Sequence, residues 1–282
     1  MKRSLTFCNR ALIAAAIAAG TVPAESQAPA ASAPTYADLA DLALAAPIAA
    51  QVRIAGAVAV KDARATGLRA GFARLFVEAD LVSLIRSPQS LPARLRYVVD
   101  LPRDSKGKAP KLRKGSEFLL LAAPVAGRPG ELRLIAPDAQ LPFTAERAAT
   151  LRSIVREASS ASPPPRIAGI GRAFHVPGAI RGESETQIFL QTADNRPISL
   201  SILRRPGETP RWSVALGEMV DDAAASVRRD TLLWYRLACT LPATLPASSL
   251  SETSAAESRA VQADYRLVLQ DLGRCNRTRS RS

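Results

Sequence analysis

The sequence predicts an α+β protein, mostly β, built as two small barrel-like β modules of OB-like or SH3-like outline with flanking helices and a C-terminal helical pair. Three observations carry that reading. Residues 73–81 alternate strictly, with Leu75, Val77, Ala79 and Leu81 on one side and Arg74, Glu78 and Asp80 on the other; that is the period of a strand, not of a helix. Five short segments of strand character follow one another without interleaved helices, the pattern of a small closed or half-closed barrel. After Ser162-Pro163-Pro164-Pro165 a second β-rich run begins, and the sequence beyond it turns helical in its spacing.

The elements are justified in chain order. Lys2, Arg3 and Arg10 precede the uncharged run Ala11–Ala19, and Val22-Pro23-Ala24 then offers small residues. Charged region, short apolar region and small-residue site together predict a signal peptide over 1–24, cleaved near Ala24. The apolar run is about half the roughly 20 residues a spanning helix needs. Residues 25–34 read as a disordered leader. The first module is assigned to 35–158. Thr35 is placed to cap a short helix carrying Tyr36, Leu39, Ala40 and Ala43, with Asp38 and Asp41 early and Pro47 at its end. Strands are expected over Gln51–Val60, Ala73–Leu81, Ala93–Leu101, Glu117–Ala123 and Glu131–Ile135, the last entered through the turn Gly127-Arg128-Pro129-Gly130. Thr144 then caps a helix with Ala148, Leu151, Ile154 and Val155 on its apolar face.

A Pro-rich linker is assigned to 159–165 and the second module to 166–273. Its strands are expected over Arg166–Phe174, Glu185–Thr192, Pro197–Arg204 and Arg211–Leu216, with a hairpin at Ala193-Asp194-Asn195-Arg196. It opens on Arg166-Ile167-Ala168-Gly169, and the first module holds Arg53-Ile54-Ala55-Gly56 near its start, so a duplicated unit is one reading. Two helices follow. Leu233, Trp234, Leu237, Ala238 and Leu241 share a face, with Arg236 and Thr240 off it and Pro242 as the stop; Val261, Tyr265, Val268 and Leu272 form the second, ended by Gly273. Residues 274–282 form a basic tail with Arg274, Arg277, Arg279 and Arg281, expected to fray.

Net charge is +13, of which Lys2, Arg3 and Arg10 supply three, leaving +10 beyond residue 24. That bias favours anionic partners. Cys8 falls within 1–24, which leaves Cys239 and Cys275; an even count in an oxidising compartment predicts a disulfide between them.

Few chemistries are open. Zinc of the Cys/His type needs three or four ligands, and beyond residue 24 there are His175 and the two cysteines, so no metal and no cofactor is expected. His175 is read as a turn or packing histidine at a strand end; a Ser-His-Asp triad would have to use it. No Gly-x-Ser-x-Gly elbow occurs, and Gly182-Glu183-Ser184-Glu185-Thr186 lacks the closing glycine. Ser105-Lys106-Gly107-Lys108 fits Ser-x-x-Lys, but Gly107 and Pro110 argue for a loop and the partner motifs are absent. Glu183 with Glu185, and Asp221 with Asp222, are the compact carboxylate pairs available for glycosidase chemistry. There is no phosphate-cradling loop and no EF-hand loop.

The most distinctive local feature is the basic stretch 103–114: Arg103, Lys106, Lys108, Lys111, Arg113 and Lys114 against the single acid Asp104. Lys106, Lys108, Lys111, Arg113 and Lys114 are the candidate binding residues, suited to phosphate or carboxylate groups. Trp212 and Trp234 read as core residues, and no row of exposed aromatics along a basic groove can be assembled, so nucleic acid is not the expected partner. The expected function is a non-catalytic periplasmic binding or scaffold protein for an anionic envelope component or a protein partner. The alternatives are a periplasmic hydrolase with an inter-module cleft and a subunit of an envelope assembly.

Overall fold

Strands β1 (Ile48–Ala59), β2 (Phe72–Arg86), β3 (Arg94–Pro102), β4 (Glu117–Pro124) and β5 (Glu131–Leu134) close into a ring in the computed structural model. The model describes residues 33–216 and 227–279; the signal peptide expected over 1–24 lies outside them. Round the ring the order is β1-β2-β3-β5-β4 and back to β1, with β3 and β5 parallel and the other neighbours antiparallel. This is the Greek-key closure of an OB-type barrel. Alternate residues fill its interior: Val52 and Ile54, Leu75 and Val77, Leu95, Tyr97 and Val99, Leu120, and Leu132. A short strand β6 (Gln140–Pro142), absent from the sequence reading, extends the sheet beside β4.

Helix α1 (Tyr36–Ala45) precedes the barrel and α2 (Ala145–Ala158) follows it. Thr35 and Asp38 form a capping box on α1, and Thr144 accepts from the Arg147 amide at the start of α2. The apolar face expected for α2, Ala148, Leu151, Ile154 and Val155, is the face that is buried. Both helices lie on the outer side of β1 and β4, where Ala49, Leu119 and Leu121 join their core. The middle of β4 is therefore apolar on both faces, which is why Phe118–Ala123 reads as a continuous apolar run without alternation. Arg86, at the end of β2, donates to the Ala43 and Ala46 carbonyls and closes the C-terminal end of α1.

The second β block is a four-stranded antiparallel sheet, β7 (Ile167–Pro177), β8 (Ser184–Thr192), β9 (Ile198–Arg204) and β10 (Arg211–Ala215), in sequential order. It stays open, and the repeated tetrapeptide shows why. In β1, Ala55 is an extra residue bulged between Ile54, opposite Ala79, and Gly56, opposite Glu78. In β7, Ala168 is bulged in the same way between Ile167, opposite Thr192, and Gly169, opposite Gln191. Ahead of its bulge, β1 has Ile48–Arg53, the segment that pairs with β4 and closes the ring. β7 begins at Ile167 and has no such segment.

Helices α3 (Leu232–Ala238) and α4 (Ala255–Leu272) cover the inner face of this sheet. α3 is shorter than its periodicity suggested and ends at Cys239, ahead of Leu241 and Pro242. Trp234 is buried and donates its indole N–H to the Leu272 carbonyl, while Trp212 is half-buried and donates to Asp271. One hydrophobic core runs from α1 and α2 through α3 and α4 to the second sheet. Residues 159–165 are pinned across it: Arg196 donates to the Pro163 carbonyl, and Glu157 in α2 accepts from the Leu232 amide of α3. From Pro34 onward the described residues form one compact unit.

Cys239 and Cys275 are joined by a disulfide with Cα atoms 4.9 Å apart and 36 residues of separation. Beyond it residues 277–279 are held in place, and Arg281 lies outside the described residues. Arg277 is bidentate to Asp41, Thr278 donates twice to Asp38, and Arg279 is bidentate to Asp138. The expectation of a free end is corrected for residues 277–279, because Asp38 and Asp41 on α1 and Asp138, 141 positions before Arg279, lie far from them in sequence. We expect the Cys239→Ser/Cys275→Ser pair to lower unfolding free energy by about 3–4 kcal/mol. Urea unfolding measures this; a midpoint matching the wild type would show that the cross-link adds nothing.

Candidate functional site

The basic stretch forms the connection between β3 and β4. Asp104 organises its tip: its carboxylate accepts from the Lys106 and Lys108 amides, and Gly107 takes a φ of +73° to complete the turn. The acid of the stretch is thus bound to backbone N–H groups of its own loop. Lys106, Lys108, Lys111, Arg113 and Lys114 are exposed, and none makes an ion pair among the described residues. Ser105 and Lys108 lie on this turn and not on a helix, so the Ser-x-x-Lys geometry is not formed.

The sequence reading missed a neighbour. The connection between β1 and β2, residues 60–71, emerges at the same end of the barrel: Arg103 donates its amide to the Gly71 carbonyl and its Nε–H to that of Phe72. It carries exposed Lys61, Arg64 and Arg69. Every lysine beyond residue 24, namely Lys61, Lys106, Lys108, Lys111 and Lys114, therefore projects from one end of the barrel. The signal was present in the composition, since Lys61 is the remaining lysine, but only the ring closure brings the two loops together.

His175 lies within β7, which runs on to Pro177, and faces α4 rather than a turn. Its Nδ1 is 2.8 Å from Thr186 Oγ1 on β8, and Thr186 donates its hydroxyl proton to Asp264 Oδ2 on α4 at 2.5 Å. Arg204 on β9 donates to Asp264 Oδ1. With the threonine proton committed to Asp264, His175 must donate Nδ1–H to the threonine oxygen. The order is acid, hydroxyl, imidazole. In a nucleophilic triad the imidazole stands in the middle and takes the hydroxyl proton; here Thr186 stands in the middle and is 0% exposed. This arrangement fixes α4 to the sheet and presents no nucleophile.

Glu183 and Glu185 line a small cleft with Ser184, Leu203, Arg204 and Arg205. Glu185 Oε1 accepts from both Gln187 and Ser201. Asp221 and Asp222 lie outside the described residues. Among the described residues no cluster of three or more His, Cys, Asp or Glu side chains is placed to hold a metal ion, and no helix is long and apolar enough to cross a membrane.

Two of the acids that hold the tail, Asp38 and Asp138, lie below their ordinary range. Burial pushes the Asp38 carboxyl up, but donation from the Thr278 hydroxyl and from the Thr35, Arg279 and Thr278 amides outweighs it, so the group lies below its ordinary value. Asp138 is also lowered, first by the hydrogen bond from Arg279. No family model matches this chain, and no curated protein matches it either.

Two outcomes follow from these contacts. Asp264→Ala leaves Arg204 and Thr186 without their acceptor and should lower stability by about 3–5 kcal/mol, whereas His175→Ala should cost about 1 kcal/mol; equal losses in thermal or urea unfolding would contradict the assigned order. A depressed folded-state pKa stabilises docking above the unfolded value, about pH 4, and that stabilisation is lost as pH falls through the lower folded value. Hydrogen exchange at the Thr278 and Arg279 amides, corrected for intrinsic rate, should stay protected at neutral pH and open below about pH 4. Asp38→Asn should weaken that dependence, leaving the part due to Asp138, and protection unchanged down to pH 2 in the wild type would refute the role of the Asp38 carboxylate in holding these residues.

Proposed function

We propose that this chain is an exported, non-catalytic binding protein of the periplasm whose lysine-rich barrel end contacts an anionic component of the envelope. The observation that carries the reading is the segregation of every lysine beyond residue 24 to one end, unpaired among the described residues. Charge of that kind attracts an extended anionic surface without needing a fitted pocket. A disulfide between Cys239 and Cys275 is consistent with an oxidising compartment. So is the charged, apolar, then small pattern of residues 1–24. The hydrolase alternative loses its best candidate, because Thr186 separates His175 from Asp264.

The reading as an assembly subunit has one observation in its favour. Val58, Phe76 and Val98 stand opposite one another across β1, β2 and β3 on the outer wall, and all three are exposed. An exposed apolar row of this kind suits a protein partner.

The test has two arms. Fractionation with N-terminal sequencing should find the protein in the periplasm beginning near Glu25; a cytosolic protein retaining Met1 ends the proposal. The purified protein should be retained on anionic liposomes at low salt, and changing Lys106, Lys108, Lys111 and Lys114 together to Gln should weaken retention by on the order of 10²–10³-fold, at about 1 kcal/mol per lysine near a charged surface. Unchanged retention in the variant would remove the lysine end as the contact.

A further inference from the structure

A cavity with two guanidinium groups unpaired among the described residues lies away from the lysine end of the barrel. Between α1, α3 and the start of β7 is a cavity of about 630 Å³ lined by Asp41, Leu44, Ala45, Arg166, Ile167, Tyr235, Arg236 and Thr240. That is within the size range of small-molecule sites. Its one acid is already neutralised: Asp41 accepts from Arg277 Nε and Nη2 and from the Tyr235 hydroxyl. Arg166 and Arg236 remain, and neither makes an ion pair or a side-chain hydrogen bond among the described residues. The Arg236 Nε is buried without any hydrogen-bond partner there.

Leaving a buried guanidinium nitrogen unpaired is unfavourable, and a second guanidinium nearby makes it more so. Burial holds the Arg236 side chain below its ordinary pKa, and the charge of Arg166 pushes the same way. The repeated tetrapeptide supplies an internal comparison. Arg53, which opens the first copy, is held by Glu117 through two hydrogen bonds. Arg166, which opens the second, lines the cavity with no carboxylate of the described chain against it. Two unmatched positive charges call for a dianion, and a planar guanidinium fork suits the oxygens of a phosphate group. The cavity is larger than inorganic phosphate alone requires, so it has room for the organic part of an ester, and the Thr240 hydroxyl adds a neutral hydrogen-bonding group on its wall.

We propose that this cavity binds a phosphomonoester-type dianion, with Arg166 and Arg236 as the residues that hold its phosphate oxygens. The site is independent of the lysine end of the barrel.

The experiment is calorimetric titration of the full disulfide-bonded chain with inorganic phosphate, with glycerol 3-phosphate and with acetate at matched ionic strength. Saturable binding of at least one phosphate probe is expected, with Kd at or below about 1 mM, together with at least tenfold weakening in Arg236→Gln and in Arg166→Gln. A tighter Kd for glycerol 3-phosphate points to an ester as the ligand, and a tighter Kd for inorganic phosphate points to free phosphate. Arg166 is exposed, so its variant keeps the test intact if Arg236→Gln folds poorly. The variant with Gln at Lys106, Lys108, Lys111 and Lys114 should bind the phosphate probe as the wild type does. Absence of saturation with both phosphate probes, equal saturation with acetate, or affinity unchanged in Arg166→Gln would each overturn the assignment.

Discussion

The outward side chains Ala49 of β1 and Leu119 and Leu121 of β4 are shut off from water, and much of the architecture follows from that constraint. Ala49, Leu119 and Leu121 leave the barrel wall and enter the core formed by α1, α2 and the second half of the chain. This part of the wall is covered by α1 and α2. They in turn expose apolar faces that α3, α4 and the second sheet bury. The Pro-rich stretch at 162–165 therefore joins two β blocks that share a hydrophobic interior. Its backbone is held by Arg196 and does not act as a free spacer.

Arginine and lysine divide the electrostatic work. Arginines make the specific pairs, including Arg53 with Glu117, Arg74 with Asp100, Arg204 with Asp264 and Arg279 with Asp138. A guanidinium can satisfy two carboxylate oxygens at once and fixes direction as well as charge. The lysines beyond residue 24 are absent from every one of these pairs and sit on two adjacent loops at one barrel end. A flexible ammonium in solvent suits contact with a diffuse anionic surface. The basic residues thus include a fastening set of paired arginines and an outward-facing set at the barrel end, a division that net charge alone conceals.

Much of the fold was legible because it rests on local period. The alternation of Leu75, Val77 and Ala79, the face of α2 and the glycine that ends α4 are each set by near neighbours in sequence. What the sequence did not show depends on distant partners. Thr186 and Asp264 are 78 residues apart, so nothing near His175 revealed that its hydrogen bond would be to a buried threonine. Arg236 was placed off the apolar face of its helix, as a solvent residue would be, yet its Nε is buried. The open form of the second sheet was similarly hidden, since it follows from the lack of a strand segment ahead of Ile167 that could close a ring. The cysteine pairing was legible because few cysteines were available to choose from.

The grip of residues 277–279 on α1 ties the chain into a loop that begins and ends at one helix. During synthesis α1 is made some 240 residues before the groups that complete it. Until those groups arrive, Asp38 keeps its capping role but lacks the amide and hydroxyl donors of Thr278, and Asp41 lacks its guanidinium. These contacts close the longest loop in sequence among the described residues, and chain entropy opposes that closure. Loosening residues 277–279 and loosening α1 are therefore one event.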